Sequence, residues 1–227
     1  MAQPDGRPLG PRITVLISGS GTNLAAIIAA THTQSLLPPN TSICRVISDR
    51  ASAYGLTRAQ DAGIPTTHHG IIPYKKKLGN NDAKDRLDTR VRTAYDARLA
   101  EIVLEDKPDL VACAGFMRIL TPAFLEPLAS SGTPIINLHP SLHGDLVGAG
   151  CIQRAWAEYE EGKRKDTGIM VHYVITEVDM GEPVVQREVS IEGCTTLQDL
   201  EQRLHEVEHE LIVKGTKLAL EAKKKSG

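Results

Sequence analysis

ITVLISGSGTNLAAIIAATH, residues 13–32, changes its periodicity halfway along. Residues 13–17 are a short run of mostly β-formers, SGSGTN (18–23) is glycine-rich, and LAAIIAATH reads as a helix. A strand passing through a glycine turn into a helix opens a βαβ unit, which predicts a parallel sheet. Glycines in such a turn let backbone N–H groups approach an anion at the helix N-terminus, where the dipole adds its attraction. The turn is not a Walker loop, because no Gly-Lys-Ser/Thr follows. It is not a dinucleotide fingerprint either: Leu24 takes the third glycine position, and Asp49 comes later than the usual spacing of about 20 residues for the ribose-binding acid. A phosphate monoester fits better than a dinucleotide, and a tight turn without a ligand is the other reading.

The same rhythm continues along the chain. Residues 43–47 form a second strand, 54–61 a short helix closed by Gly63, and 65–69 a brief strand. Residues 73–85 are polar with Gly and Asn, and predict a surface loop. A long helix is expected over 86–105, with Leu87, Val91, Ala94, Leu99, Ile102 and Val103 on its apolar side. Strands at 110–116 and 134–138 flank a helix at 122–129. After residue 165, IMVHYVI (169–175) and PVVQREVSI (183–191) predict an antiparallel pair around TEVDMGE. The last helix, about 196–222, carries Leu197, Leu200, Leu204, Val207 and Leu211 at three-and-four spacing. The expected fold class is therefore α/β: a mostly parallel Rossmann-like sheet with helices on both faces and antiparallel strands added near the C-terminus. One domain over 12–222 is expected, with a flexible tail at 1–11 and a basic tail at 223–227.

Bulk properties narrow the function. With 41% hydrophobic and 24% charged residues, the chain of 227 reads as an ordinary globular protein. A net charge of −2 lacks the basic footprint of a general nucleic-acid binder. No apolar run approaches the ~20 residues that span a bilayer, and the first twelve residues lack a signal-peptide core. Cys44, Cys113, Cys151 and Cys194 form no C-x-x-C pair, which argues against zinc and a disulfide framework and suits a reducing cytosol. A cytoplasmic location is expected.

Three further stretches carry chemistry. In TPIINLHPSL (133–142), alternate strand residues share a face, so Asn137 and His139 point the same way, and Pro140 takes the chain out of the sheet. Polar groups at the carboxyl end of a strand sit where open α/β sheets bind ligands, although they could equally meet water. TEVDMGEP (176–183) puts Asp179 in a turn, either bonding its own backbone or reaching His139. HEVEH (205–209) satisfies zinc-protease patterns and puts His205 and His209 on one helix face. Its surroundings are those of a solvated charged helix with no third ligand, and a solvated face is the preferred reading. Glu208 differs, because it borders the apolar stripe, from which a carboxylate can look into a cleft. An imidazole, a carboxylate and an amide could together serve acyl transfer without a covalent nucleophile, and no G-x-S-x-G elbow is present.

LISGSGTNLAAII, AGFMRILTPAF (114–124), INLHPSL and the D-x-G-x-P of Asp179, Gly181 and Pro183 together resemble the glycinamide ribonucleotide transformylases, over about residues 12–215. The resemblance implies formyl transfer from 10-formyltetrahydrofolate, a co-substrate, to 5-phosphoribosylglycinamide in purine biosynthesis, without a metal. It implies a catalytic triad of Asn137, His139 and Asp179. It implies ribonucleotide binding by Gly21, Thr22 and Asn23 and by His205, Glu206, Val207 and Glu208. Arg92, Met117, Arg118, Ile119, Leu120, Asn137 and the loop of Ile175, Thr176, Glu177, Val178 and Asp179 match the folate-binding positions. Small-molecule partners only are implied, with no nucleic acid or membrane, and the chain is expected to be a monomer or homodimer. Rivals with the same chemistry would be expected to carry more: methionyl-tRNA formyltransferase a C-terminal nucleic-acid-binding domain, formyltetrahydrofolate deformylase an N-terminal regulatory one. A non-catalytic nucleotide-binding module would keep SGSGTN but need not keep the triad. One departure stands out. After HPSL the family usually has a Pro and an aromatic before Gly, whereas this chain reads LHGDLVGAG, and His143 and Asp145 are candidates to add charge near His139.

Overall fold

The computed structural model describes residues 10–33, 35–79 and 88–226. Strands β1 (Arg12–Ile17), β2 (Ser42–Ser48), β3 (Thr66–His68), β4 (Leu110–Cys113), β5 (Ile135–His139), β6 (Asp166–Tyr173) and β7 (Pro183–Ser190) form one sheet in the order β3-β2-β1-β4-β5-β6-β7. The first five run parallel, and β6 and β7 are antiparallel additions, as the sequence implies. The helices are α1 (Thr22–His32), α2 (Tyr54–Asp61), α3 (Ile72–Leu78), α4 (Thr89–Glu105), α5 (Pro122–Ser130), α6 (Cys151–Glu160) and α7 (Leu197–Ser226).

Alternation along the central strands divides the core in two. Ile13, Val15 and Ile17 pack with Leu24, Ile27, Leu204 and Leu211, which puts α1 and α7 on one face. Leu16, Val111, Cys113 and Ile135 pack with Tyr95, Leu99, Phe124 and Leu128, which puts α4 and α5 on the other. Asn137 and His139 continue the row of Ile135, so they lie on the α4–α5 face where the apolar filling ends. The order in which strands are added reverses beside β1, and the turns after β1 and β4 both open at that switch point.

Three elements depart from the sequence reading. Residues 72–78 form α3 where a loop is expected. Its proline falls in the first turn, where the missing N–H costs nothing, and Tyr74 packs edge-on to His69 and Tyr95. The helix expected from residue 86 is described from Thr89, with the Asp88 carboxylate accepting the Arg90 N–H as its cap; Leu87 and the tail at 1–9 lie outside the described residues. The sheet loses β4 at Cys113 rather than 116, because Gly115 turns at φ 79°. At the far end α7 continues to Ser226, past the boundary expected at 222, and Lys223 donates to the Asp109 carbonyl at 3.0 Å.

Gly181 sits between the two antiparallel strands, and a Cβ there would lie on the Tyr173 carbonyl oxygen. This is the physical content of the glycine in DMGEP: the turn bearing Asp179 passes too close to β6 for any side chain. Gly181→Ala is expected to cost about 1–3 kcal/mol through forced backbone displacement, measured as the shift in a urea unfolding midpoint. Wild-type stability would mean that this close approach does not constrain the turn.

Candidate functional site

Met117–Leu120, Asn137–Pro140, Gly148–Cys151, His172 and Val174–Asp179 line a cleft of about 380 Å³. Asn137, His139 and Asp179 meet in it although they come from different elements. β5 presents the first two on one face, and β6 pairs antiparallel so that His172 stands opposite Asn137. Asp179 arrives from the turn with φ 57°, a left-handed conformation that aspartate tolerates better than most residues.

The contacts among these groups define their protonation. His139 Nε2 is 2.7 Å from the Leu146 carbonyl, so that nitrogen carries a proton and donates it. Its Nδ1 stands 3.4 Å from Asp179 Oδ2, a charge contact longer than a good hydrogen bond. Both ring nitrogens thus face acceptors, an arrangement that suits the imidazolium. Burial works against the charge on His139, but the contacts with Cys151, Leu146 and Asp179 outweigh it and raise the pKa above its ordinary value of 6.5. Asp179 shows the converse. Burial would raise its pKa, yet His172, the Gly148 N–H (2.9 Å) and the His139 charge together bring it below the usual carboxylate range. His172 donates from Nδ1 to the Tyr173 carbonyl at 2.9 Å, and its Nε2 stands 3.3 Å from the Asn137 amide nitrogen and 3.7 Å from Asp179 Oδ1. At least one hydrogen of that amide remains available to a ligand.

The neighbouring segment is fastened residue by residue. Met117 N–H donates to Ser18 Oγ at 2.9 Å, and Arg118 pairs with Asp49 at 2.9 Å while lying over the Tyr95 ring. Arg92 donates to the Ile119 carbonyl at 3.2 Å, and the Thr121 N–H donates to Asp96 at 2.8 Å. Met117 and Ile119 are left with their side chains exposed at the cleft mouth. Arg92 does not line this cleft. It lines a smaller adjoining cavity with Tyr95, Asp96 and Arg118, so Arg92 and the 175–179 loop are not brought to one cavity.

The SGSGTN turn forms a second part of the site. Gly21 caps α1 at φ 71°, with no side chain closing the helix N-terminus, so the first-turn N–H groups stay open to a ligand. Buried Asn23 donates to Oε2 of buried Glu208 at 3.2 Å, while Asn23 Oδ1 has no partner. Burial leads the upward shift of the Glu208 pKa. Of the remaining HEVEH residues, His205 and Glu206 are exposed and Val207 is half-buried. Among the described residues no three His, Cys, Asp or Glu side chains cluster to hold a metal. A Cβ on Gly21 would lie 2.6 Å from the Gly55 Cα, so substitution there disturbs the α1–α2 packing as well as any anion site.

Two residues of the cleft escaped the sequence reading. His172 carries a signal only once β5 and β6 are placed in register, since it alternates with Met170 in a strand that otherwise looks apolar. Cys151, with Sγ 3.5 Å from His139 Nε2, gives no local signal at all. The atypical 143–150 loop does not add charge to His139 in the way expected. Asp145 is held by Arg164 in two contacts of 2.7 Å, and His143 is exposed.

With its pKa raised, the His139 ring keeps its proton above pH 6.5 and loses it as pH rises through the shifted value; the stability from its contacts is complete below 6.5 and fades over the same window. Asp179→Asn removes the carboxylate charge and is expected to move the His139 titration to lower pH, read from its ring NMR signals. An unchanged or higher midpoint would show that Asp179 only shapes the turn.

Residues 11–216 match the formyl transferase family. Over 201 residues the chain is 44% identical to the phosphoribosylglycinamide formyltransferase of Schizosaccharomyces pombe, covering 88% of this chain and 93% of that protein. Over 208 residues it is 46% identical to the Saccharomyces cerevisiae protein of the same name, covering 90% and 95%. A solved structure of glycinamide ribonucleotide transformylase 1 from Symbiobacterium toebii superimposes with a TM-score of 0.77 at 34% identity, covering 93% of this chain and 88% of that one.

Proposed function

The chain belongs to the formyl transferase family, and from that premise we propose that it moves a formyl group from 10-formyltetrahydrofolate to the glycyl amine of 5-phosphoribosylglycinamide. The observation that carries the reading is the convergence of Asn137, His139 and Asp179 on the cleft between the 116–121 segment and the 174–179 loop. Among the described residues no helix is long and apolar enough to cross a membrane, and both reactants are small molecules.

In this reading the ribonucleotide phosphate meets the open N-terminus of α1, where Gly21, Thr22 and Asn23 present backbone N–H groups. Glu208, already bonded to Asn23, is the nearby carboxylate for the polar groups of the same substrate. The folate enters the apolar cleft against Met117, Ile119 and Ile175. Ser18 links the two halves, because it follows β1 and fastens the Met117 N–H.

The amine nitrogen attacks the formyl carbon, and the new C–N bond forms as the carbonyl oxygen takes up negative charge. The free amide hydrogen of Asn137 and the His139 imidazolium stabilise that oxygen. Asp179 keeps the ring charged and oriented. Collapse breaks the bond to N10, and the proton lost by the amine replaces the formyl group there.

The direct test is formyl transfer measured with purified protein and both substrates. Asn137→Ala is expected to lower kcat by ~10²- to 10³-fold, the usual cost of losing one oxyanion donor, with substrate affinities changed far less. Glu208→Ala should act on the other side of the site. Its KM for the ribonucleotide is expected to rise by about ten- to a hundredfold, while folate affinity stays near wild type. Absence of transfer in the wild-type protein would overturn the reading, and equal loss of both substrates in Glu208→Ala would overturn the division of the cleft.

A further inference from the structure

The loop that departs from the family pattern is held from one side by the first turn of α6. Three successive carbonyls of that loop lie within reach of two side chains of the turn. The single S–H of Cys151 can be given to Gly148 O at 2.9 Å or to Leu146 O at 3.3 Å, and Arg154 donates to Val147 O at 2.7 Å. Arg154 also reaches Cys151 Sγ at 3.2 Å. The thiol is buried against the cleft, and its Sγ stands 3.5 Å from His139 Nε2.

These contacts bear on the donor that formyl transfer requires. The Nε2 proton of His139 goes to the Leu146 carbonyl, and Nδ1 faces Asp179. Neither ring nitrogen is therefore free for a developing oxyanion while Leu146 O holds its place. A carbonyl that gives up the His139 proton in a buried setting needs another donor, or it is left unsatisfied. The Cys151 Sγ stands 3.3 Å from that same oxygen and can supply the donor by turning its one hydrogen away from Gly148 O.

We propose that Cys151 is a positioning residue for the reaction, its one S–H passing between the Gly148 and Leu146 carbonyls and thereby setting how the His139 Nε2 proton is shared between loop and cleft. The thiol forms no covalent bond with substrate in this role. It serves as the alternative donor to Leu146 O, so that His139 can turn its proton toward the formyl oxygen while the carbonyl of half-buried Gly148 is left to water. Glycine-rich flanks at 148 and 150, with φ of 82° and 70°, give the loop the backbone freedom to make that adjustment.

The inference rests on the formyl-transfer reading, and its test keeps the two apart. Full-length wild type, Cys151→Ala and Cys151→Ser are compared for kcat, both KM values, thermal midpoint and the NMR titration of His139. The ionisable groups around that ring are Asp179 and His172 on one side and Cys151 on the other, with Arg154 behind the thiol. Loss of the donor in Cys151→Ala is expected to lower kcat by roughly tenfold, with each KM within about twofold, and to move the His139 midpoint to lower pH. Cys151→Ser keeps an O–H donor and is expected to recover most of the rate and the wild-type titration. Wild-type kcat and titration in Cys151→Ala would overturn the proposal. So would equal kcat losses in both variants that follow a lowered thermal midpoint, since Cys151 would then act only through stability. If the wild-type protein transfers no formyl group, the functional reading falls, while the titration still decides whether the thiol governs His139.

Discussion

The carboxylate of Asp179 accepts the Gly148 N–H while facing His139 at 3.4 Å and His172 at 3.7 Å. Each of these partners comes from a different element: the atypical loop, the last parallel strand and the first antiparallel one. A half-buried carboxylate is stabilised when donors and positive charge surround it, so Asp179 favours the convergence of those elements. Its own backbone stands in the left-handed region, and the turn that delivers it passes β6 at a distance only glycine allows. Moving any one element would leave the carboxylate under-satisfied and His139 without the charge that raises its pKa.

The fastening of the 116–121 segment shows how rigidity is obtained without regular structure. Ser18, Asp49, Arg92 and Asp96 each hold one of its residues, from the turns directly after β1 and β2 and from α4. Arg92 and Arg118, expected at folate-binding positions, are also engaged in this scaffold. Arg118 pairs with Asp49 and Arg92 with the Ile119 carbonyl, while Met117 and Ile119 face outward as apolar surface at the cleft mouth. Because Ser18 precedes the glycine turn, the same bond couples the α1 anion site to the apolar cleft.

Much of the fold was legible because its signals are local. Period-two and period-3.6 patterns give the strands and long helices, and alternation alone puts Asn137 and His139 on one face. The misreadings share a cause. Residues 72–78 look like loop because three lysines and a nearby glycine dominate a short window, yet Tyr74 secures a helix there by packing on His69 and Tyr95 from elsewhere in the chain. Asp145 looks free to charge His139 until Arg164, nineteen residues later, is brought beside it.

By itself the sequence determined the parallel sheet, its antiparallel extension, the open helix N-terminus at Gly21 and the pairing of Asn137 with His139, because each depends on residues a few positions apart. Tertiary structure decided what those groups meet. Asn23 finds Glu208 across 185 positions, Asn137 finds His172 across 35, and the His139 proton is directed to Leu146 by a loop whose carbonyls Cys151 reaches. Hydrogen-bond direction and pKa are set by such through-space neighbours, and no window of sequence contains them.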